Sequence, residues 1–207
     1  LGETQHVFAA PAILIARFYV TNPFEYLPRG HYGLIAADPP WAFLTRSAKG
    51  KGRSPEQHYG CMSLDDIKAL PVADLAAKDC CLLLWITDPL LELGFDVIKA
   101  WGFTFKTVGF YWAKTNADGT PFCGMGYYTR ANPEQCLLAT RGNPKRLSKS
   151  VRRLIISPRR EHSRKPDEFF TRAEQLMPGP YLELFSRQYR IGWTTWGNQE
   201  GKFGQAA

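Results

Sequence analysis

The chain has 207 residues with 44% hydrophobic and 14% aromatic content, enough for one globular α/β domain with a sizeable core. No apolar run approaches the ~20 residues that cross a bilayer, and Leu1 to Pro11 lack the basic segment of a signal peptide, so neither a membrane span nor secretion is expected. The formal net charge of +7 favours a polyanionic partner.

Residues 1–32 resist assignment, since Ile13 to Val20 fits a strand or a short helix equally. Leu34-Ile35-Ala36-Ala37-Asp38-Pro39-Pro40-Trp41 is clearer. It reads as a buried parallel strand stopped by two prolines that cannot donate to a ladder. Phe43 to His58 carries Arg46, Lys49, Lys51 and Arg53 without periodicity, the pattern of a long loop, either a lid or a solvated insertion. Ser63 and Asp66 form a near capping box that starts a helix. Cys80 to Thr87 is a second buried strand, after which Asp88 caps a helix with Pro89 at its first position and Gly102 at its end. Phe103 to Lys114 is strand-rich, Asn116 to Asn132 is a second long loop, and Glu134 to Thr140 is a strand closing on Arg141-Gly142-Asn143-Pro144. Leu154-Ile155-Ile156 is a short strand, Lys165 to Met177 a helix, Tyr181 to Phe185 a strand, and Gly192 to Trp196 an edge or hairpin strand. With no repeat and no linker, residues 1–207 read as a single domain with a short tail at 200–207. The alternation of strands and helices predicts a three-layer α/β sandwich with a mostly parallel sheet.

Open α/β sheets bind ligands beyond the carboxyl ends of their strands, which places Asp38 at the mouth of a pocket. The tetrapeptide suits methylation of an exocyclic amine, a poor nucleophile because its lone pair is delocalised into the ring. Asp38 accepts one N–H, the Pro39 carbonyl fixed by Pro40 accepts the other, and Trp41 stacks on the base. The bland reading stands beside it: Asp-Pro-Pro is a common turn, and a tryptophan after it is often core. From Arg141 to Lys165 the chain is strongly basic, with Arg141, Lys145 and Arg146 leading and Glu161 the only acid. Charge runs are often solvated faces, but this one is split by an apolar strand, which favours phosphate contact. Glu183 lies inside an apolar strand, where a carboxylate either takes a ribose hydroxyl or pairs with an arginine such as Arg187. Cys61, Cys80, Cys81, Cys123 and Cys136 are odd in number and form no Cys-x-x-Cys pair. No metal site is expected, and reduced thiols point to a cytoplasmic setting.

In order, the chain carries Asp38-Pro39-Pro40-Trp41, Tyr59-Gly60-x-Met62, Leu84-Trp85-Ile86-Thr87, Trp112-x-Lys114-Thr115-Asn116, Arg141-Gly142-Asn143-Pro144, His162 to Glu168, Glu183-Leu184-Phe185-x-Arg187 and Trp193-x-x-x-Gly197-Asn198-Gln199. This ordered set resembles the MT-A70-like adenine-N6 methyltransferases over nearly the whole chain, from Leu34 to Gln199. The resemblance implies a Rossmann-like fold of the circularly permuted kind (beta-class motif order) and S-adenosyl-L-methionine as cofactor. It implies a catalytic role for Asp38, Pro39, Pro40 and Trp41, and cofactor contacts from Asp38, Lys165, Glu183, Arg187, Asn198 and Gln199. Tyr59 matches a residue of the substrate-facing loop, joining Trp41, Arg141, Lys145 and Arg146 as substrate candidates. Tyr189-Arg190 stands where the messenger-RNA enzymes have His-Asn, and Ser163-Arg164-Lys165-Pro166 resembles the shorter bacterial and phage members. The expected function is methyl transfer to adenine N6 in nucleic acid, DNA favoured over RNA. The alternatives are an RNA enzyme or a catalytically silent subunit, and the molecule works either as a homodimer or with a partner subunit.

Overall fold

β1 (Tyr32–Ala37) has no charged residue and is buried on both faces, as befits a strand flanked by parallel neighbours. A computed structural model describes residues 22–42, 61–126, 128–161 and 164–197, with Lys202 and the pair Gln205–Ala206. The segment Ile13 to Val20 and the loop after Phe43 lie outside those residues, as do Tyr59, His162, Ser163, Asn198 and Gln199.

After β1 come α1 (Leu64–Ala69), α2 (Val72–Leu75), β2 (Ala76–Ile86), α3 (Leu91–Ala100), β3 (Thr104–Thr115), β4 (Glu134–Arg141) and β5 (Leu154–Pro158). α4 (Asp167–Leu176), β6 (Tyr181–Leu184), β7 (Tyr189–Arg190), β8 (Trp193–Trp196) and β9 (Gln205–Ala206) complete the series. Seven strands form one mixed sheet in the order β5-β3-β4-β2-β1-β6-β8. Only β4 runs against its neighbours in it. β7 and β9 pair separately.

Strand periodicity of two assigns the faces. Ile35, Ala37, Leu82 and Leu84 pack with Ile67, Val72, Val97 and Trp101, under α1 to α3. Leu34, Ala36, Leu83 and Trp85 pack with Phe169, Phe170 and Ala173 of α4. The expected three layers are therefore present. No described helix is long and apolar enough to cross a membrane.

The element readings hold with three corrections. Asp88 is not a helix cap: it opens a 3-10 turn, Asp88–Leu90, and its carboxylate accepts from Gln135 Nε2 at 2.9 Å. α4 begins at Asp167 rather than Lys165, because the residue before Pro166 is pushed out of helical geometry. β2 begins at Ala76 rather than Cys80, whereas β8 is an edge strand, parallel to β6, as one of the two readings had it. α2, β7 and β9 span four, two and two residues, too short to leave a periodic signal.

Candidate active site

β1 pairs with β2 on one side and β6 on the other, both in parallel. The chain leaving it reaches neighbours on opposite sides, and such a reversal opens a crevice at the carboxyl ends of the strands. Asp38 is the first residue past β1 and shares the parity of Leu34 and Ala36, so it faces α4. Glu183 sits opposite Ala36 on β6 and shares that face, where the small alanine leaves room beside it. Asp38, Lys165, Glu183, Arg187, Gln188 and Trp85 line one cleft there.

Lys165 holds the charged end of this cleft. Its Nζ lies 2.8 Å from Asp38 Oδ2 and 3.1 Å from Glu134 Oε2. Glu134 also accepts from Lys114 Nζ. Burial disfavours both charged forms, but pairing wins. The two lysines hold Glu134 down at about 2, and Asp38 and Glu134 hold Lys165 above the usual lysine range. Lys165 Nζ also stands 5.1 Å from the ring centre of Trp85.

The other end is an acid without a strong cation. Burial pushes the Glu183 carboxyl up to about 7, against the lowering effects of Ser186 and Arg190. Ser186 Oγ lies 3.0 Å from Glu183 Oε2 and 2.7 Å from the Gln188 carbonyl. That hydroxyl has one proton, which it donates either to the Glu183 carboxyl or to the Gln188 carbonyl. Phe185, at φ +64°, turns the chain so that Ser186 folds back under the strand end. Among the described residues, Trp85 Nε1 and Gln188 Oε1 are buried without a hydrogen-bond partner, and both side chains line the cleft.

Backbone bonds pin the Asp38–Trp41 tetrapeptide. The Pro39 carbonyl accepts from Trp41 N at 2.8 Å and the Pro40 carbonyl accepts from Met62 N at 3.0 Å. Trp41 departs from the expected stacking platform. Its indole is only 8% exposed, packs in the α1–α3 core and donates from Nε1 to the Trp85 carbonyl at 3.1 Å.

Arg141, Lys145 and Arg146 are not brought to the cleft. β4 is antiparallel, so Glu134 lies at the cleft end, opposite Trp112, while Arg141 lies opposite Cys80 at the far edge. Six residues of β2 separate the two ends, about 20 Å at ~3.3 Å per residue. Arg141 there donates to the Ala73 carbonyl at 2.5 Å, and the chain after Arg146 meets the end of α4 through Leu147 N to Leu176 O. The basic stretch thus divides, with Arg159, Arg160, Arg164 and Lys165 returning to the cleft edge after β5.

The sequence motifs passed over Glu134, Ser186 and Gln188. Glu134 had a signal: it shares the parity of buried Cys136, and the hairpin register sets it beside Trp112, next but one to Lys114. Ser186 and Gln188 follow a strand end and carry no periodic mark.

The sequence has counterparts among known proteins. The MT-A70 family model matches residues 32–199, from the first residue of β1 past the end of β8. A type II methyltransferase, M.MunI from Mycoplasma sp, is 30% identical over 192 residues, covering 84% of this chain and 80% of that protein. An N(6)-adenosine-methyltransferase MT-A70-like protein of Drosophila melanogaster is 35% identical, covering 82% of this chain and 27% of its own length. The N(6)-adenosine-methyltransferase catalytic subunit METTL3 of Homo sapiens is 31% identical, covering 82% and 28%. The chain therefore spans most of the bacterial relative but only about a quarter of the animal ones. With the family match running through every strand that shapes the cleft, the chain belongs to the MT-A70 family of methyltransferases.

Proposed function

We propose that this protein transfers a methyl group from S-adenosylmethionine to the N6 amine of adenine in nucleic acid, DNA in preference to RNA. One observation carries the reading: the Asp38–Lys165 pair, 2.8 Å apart, stands at the carboxyl end of β1 with Glu183 lining the same cleft.

The donor set fits the cofactor. A zwitterionic amino-acid end needs a cation and an anion, which Lys165 and Asp38 supply. Lys165 has three N–H donors, two of which go to Asp38 and Glu134, leaving the third for a ligand carboxylate. A ribose diol needs an acceptor, which Glu183 supplies, and Arg187 lines the same wall. The bound cofactor supplies a sulfonium-activated methyl group. Asn198 and Gln199 follow Gly197, whose backbone is pressed against Ser186: a Cβ there would lie 2.3 Å from the Ser186 carbonyl oxygen. That approach sets Gly197 beside Ser186 at the Glu183 end of the cleft, which supports a role for the two amides that follow it in sequence. Motif order supports a permuted fold, since Asp38 precedes β6 and β8.

The chain's own groups then act on the amine. Asp38 accepts one N–H and stabilises the positive charge that grows on nitrogen as it attacks. The Pro39 carbonyl keeps a second lone pair beyond the Trp41 N–H bond and accepts the other amine proton. The ion pair with Lys165 holds the Asp38 carboxylate in place for this task. Trp41 contributes by bracing the tetrapeptide against β2. Tyr59 is assigned to the substrate on the family resemblance. Arg159 and Arg160, which follow β5 at the strand ends where the cleft opens, replace Arg141, Lys145 and Arg146 as the phosphate contacts. The preference for DNA rests on the near-full-length match to the type II methyltransferase.

The test is nucleoside mass spectrometry of DNA and RNA from cells expressing the protein, with Asp38→Ala as control. N6-methyladenine in DNA that disappears in the variant is expected. N4-methylcytosine in its place, or no modified nucleoside in either nucleic acid, would refute the assignment.

A further inference from the structure

We propose that Arg190 is a positioning residue that sets the affinity of the cleft for its cofactor by locking the two cleft walls together. The inference rests on the cofactor reading above and adds a residue to it.

Arg190 belongs to β7, whose only ladder partner among the described residues is β9, and not to the main sheet. A residue on such a peripheral strand is ordinarily solvated, yet its side chain is 6% exposed. Its Nη2 lies 2.9 Å from Asp167 Oδ1, and its guanidinium stands 3.7 Å from the ring centre of Phe170. Asp167 and Phe170 are both in the first turn of α4. The second Asp167 oxygen takes Arg160 Nη1 at 2.5 Å. The two arginines hold the carboxyl below its usual range although burial opposes this.

The position of this clamp in the chain gives it a function. Asp167 is two residues past Lys165, with only the rigid Pro166 between them. Arg190 is two residues past Gln188 and three past Arg187. The clamp therefore joins the segment carrying Lys165, at the Asp38 end of the cleft, to the segment carrying Arg187 and Gln188, at the Glu183 end. Neither segment is a strand of the main sheet at these residues, so the sheet does not fix their spacing. The planar fork and the stack on Phe170 do, in a way a lysine point charge cannot reproduce. A cofactor that reaches from Lys165 to Glu183 spans that gap, so its binding depends on the clamp. The amine-activating groups Asp38 and Pro39 hang on β1 and do not.

The test compares cofactor Kd by calorimetry with kcat at saturating cofactor, in the full chain. Arg190→Gln should weaken S-adenosylmethionine about tenfold, with kcat changed by about twofold at most. Arg190→Lys should fall between Arg190→Gln and wild type. Asp167→Asn should also weaken cofactor binding, and the double variant should be weakened by less than the product of the two single effects, because both remove the shared Arg190–Asp167 bond. Arg172→Gln is the control: Arg172 lies on the same helix but does not line the cleft, and the change removes its pair with Glu168 and its bonds to the Arg152 and Leu154 carbonyls at the start of β5. It should lower the melting temperature and leave Kd unchanged. A folded Arg190→Gln with wild-type Kd overturns the inference, as does an Arg172→Gln loss of equal size or a multiplicative double variant. If Arg190→Gln does not fold, Arg190→Lys and Asp167→Asn decide by the same Kd criterion. Wild-type protein that binds no cofactor defeats the reading beneath the inference, and is distinct from all of these.

Discussion

Two lysines face one half-buried carboxylate at Glu134, and only one of them touches Asp38. Glu134→Gln would leave both ammonium groups without that countercharge in a buried site. A loss of about 3–5 kcal/mol is expected, read as a lower denaturation midpoint at neutral pH. An unchanged midpoint would sink the idea. The two acids also bend the pH profile in opposite senses. Glu134 drops from an ordinary 4.5 to about 2, so its contribution is complete above pH 4.5 and is lost as pH falls toward 2. Glu183 rises from 4.5 to about 7, so the folded state keeps a proton that the unfolded chain has released. Stability from Glu183 is therefore complete below pH 4.5 and declines as pH rises to 7. Melting temperatures of Glu183→Gln should lack that decline. Cofactor affinity should move the other way in the wild type, tightening from about pH 6 to 8 as Glu183 ionises and becomes a full acceptor for the diol. Parallel melting profiles for the variant and wild type over the same range would contradict this.

At the scale of elements, Arg141-Gly142-Asn143-Pro144 is the back turn of β4, and its residue types follow from that position. Gly142 has φ +63°, and a Cβ on it would stand 2.2 Å from Asp79 Oδ1 and 2.3 Å from the Lys78 carbonyl oxygen. The Asp79 carboxylate accepts from Asn143 N at 2.7 Å, closing the turn. Gly142→Ala should destabilise by about 1–3 kcal/mol or more, with kcat at saturating substrates unchanged, because the turn lies at the far end of the sheet. A variant that is as stable as wild type, or folded but catalytically dead, would reassign the motif. The longer strands were legible because β1 and β2 carry apolar runs and β3 alternates, with aspartate, proline or glycine beyond their ends. Asp38 and Glu183 were legible as carboxylates ending or interrupting such runs. Strand direction was not legible, and direction decides which end of β4 meets the cleft. Reading that strand as carrying Arg141 toward the substrate inverted the roles of its two ends and passed over Glu134. The indole of Trp41 failed for another reason: an aromatic beside a catalytic turn stacks on ligand or core equally well, and only packing chooses.

For the whole molecule, the split of the basic stretch makes a claim about nucleic acid. Arg159 is exposed just past β5, at the strand ends where the cleft opens, 4.6 Å from the ring centre of Phe122, and is anchored by its backbone N–H to the Thr115 carbonyl. Lys145 and Arg146 are exposed near the opposite edge. A base whose amine reaches Asp38 must be unpaired or flipped, and flipping costs a few kcal/mol that an unpaired strand does not spend. Single-stranded or mismatched oligonucleotides should therefore be methylated at least as well as a perfect duplex. Phosphates flanking the flipped base lie within reach of the cleft edge, whereas those meeting Lys145 and Arg146 sit several nucleotides away. On a single-stranded oligonucleotide of about six nucleotides, Arg159→Gln should lower kcat/KM and reduce the salt slope by roughly 0.7, because one phosphate is no longer neutralised. The double variant Lys145→Gln with Arg146→Gln should leave the short substrate nearly untouched and weaken only longer strands that extend along the sheet. Measuring kcat/KM against salt for both variants on short and long strands separates the two ends of the molecule. Should the double variant cripple the short substrate while Arg159→Gln spares it, the substrate would have to approach from the β4 turn, and the cleft could not be where methyl transfer occurs.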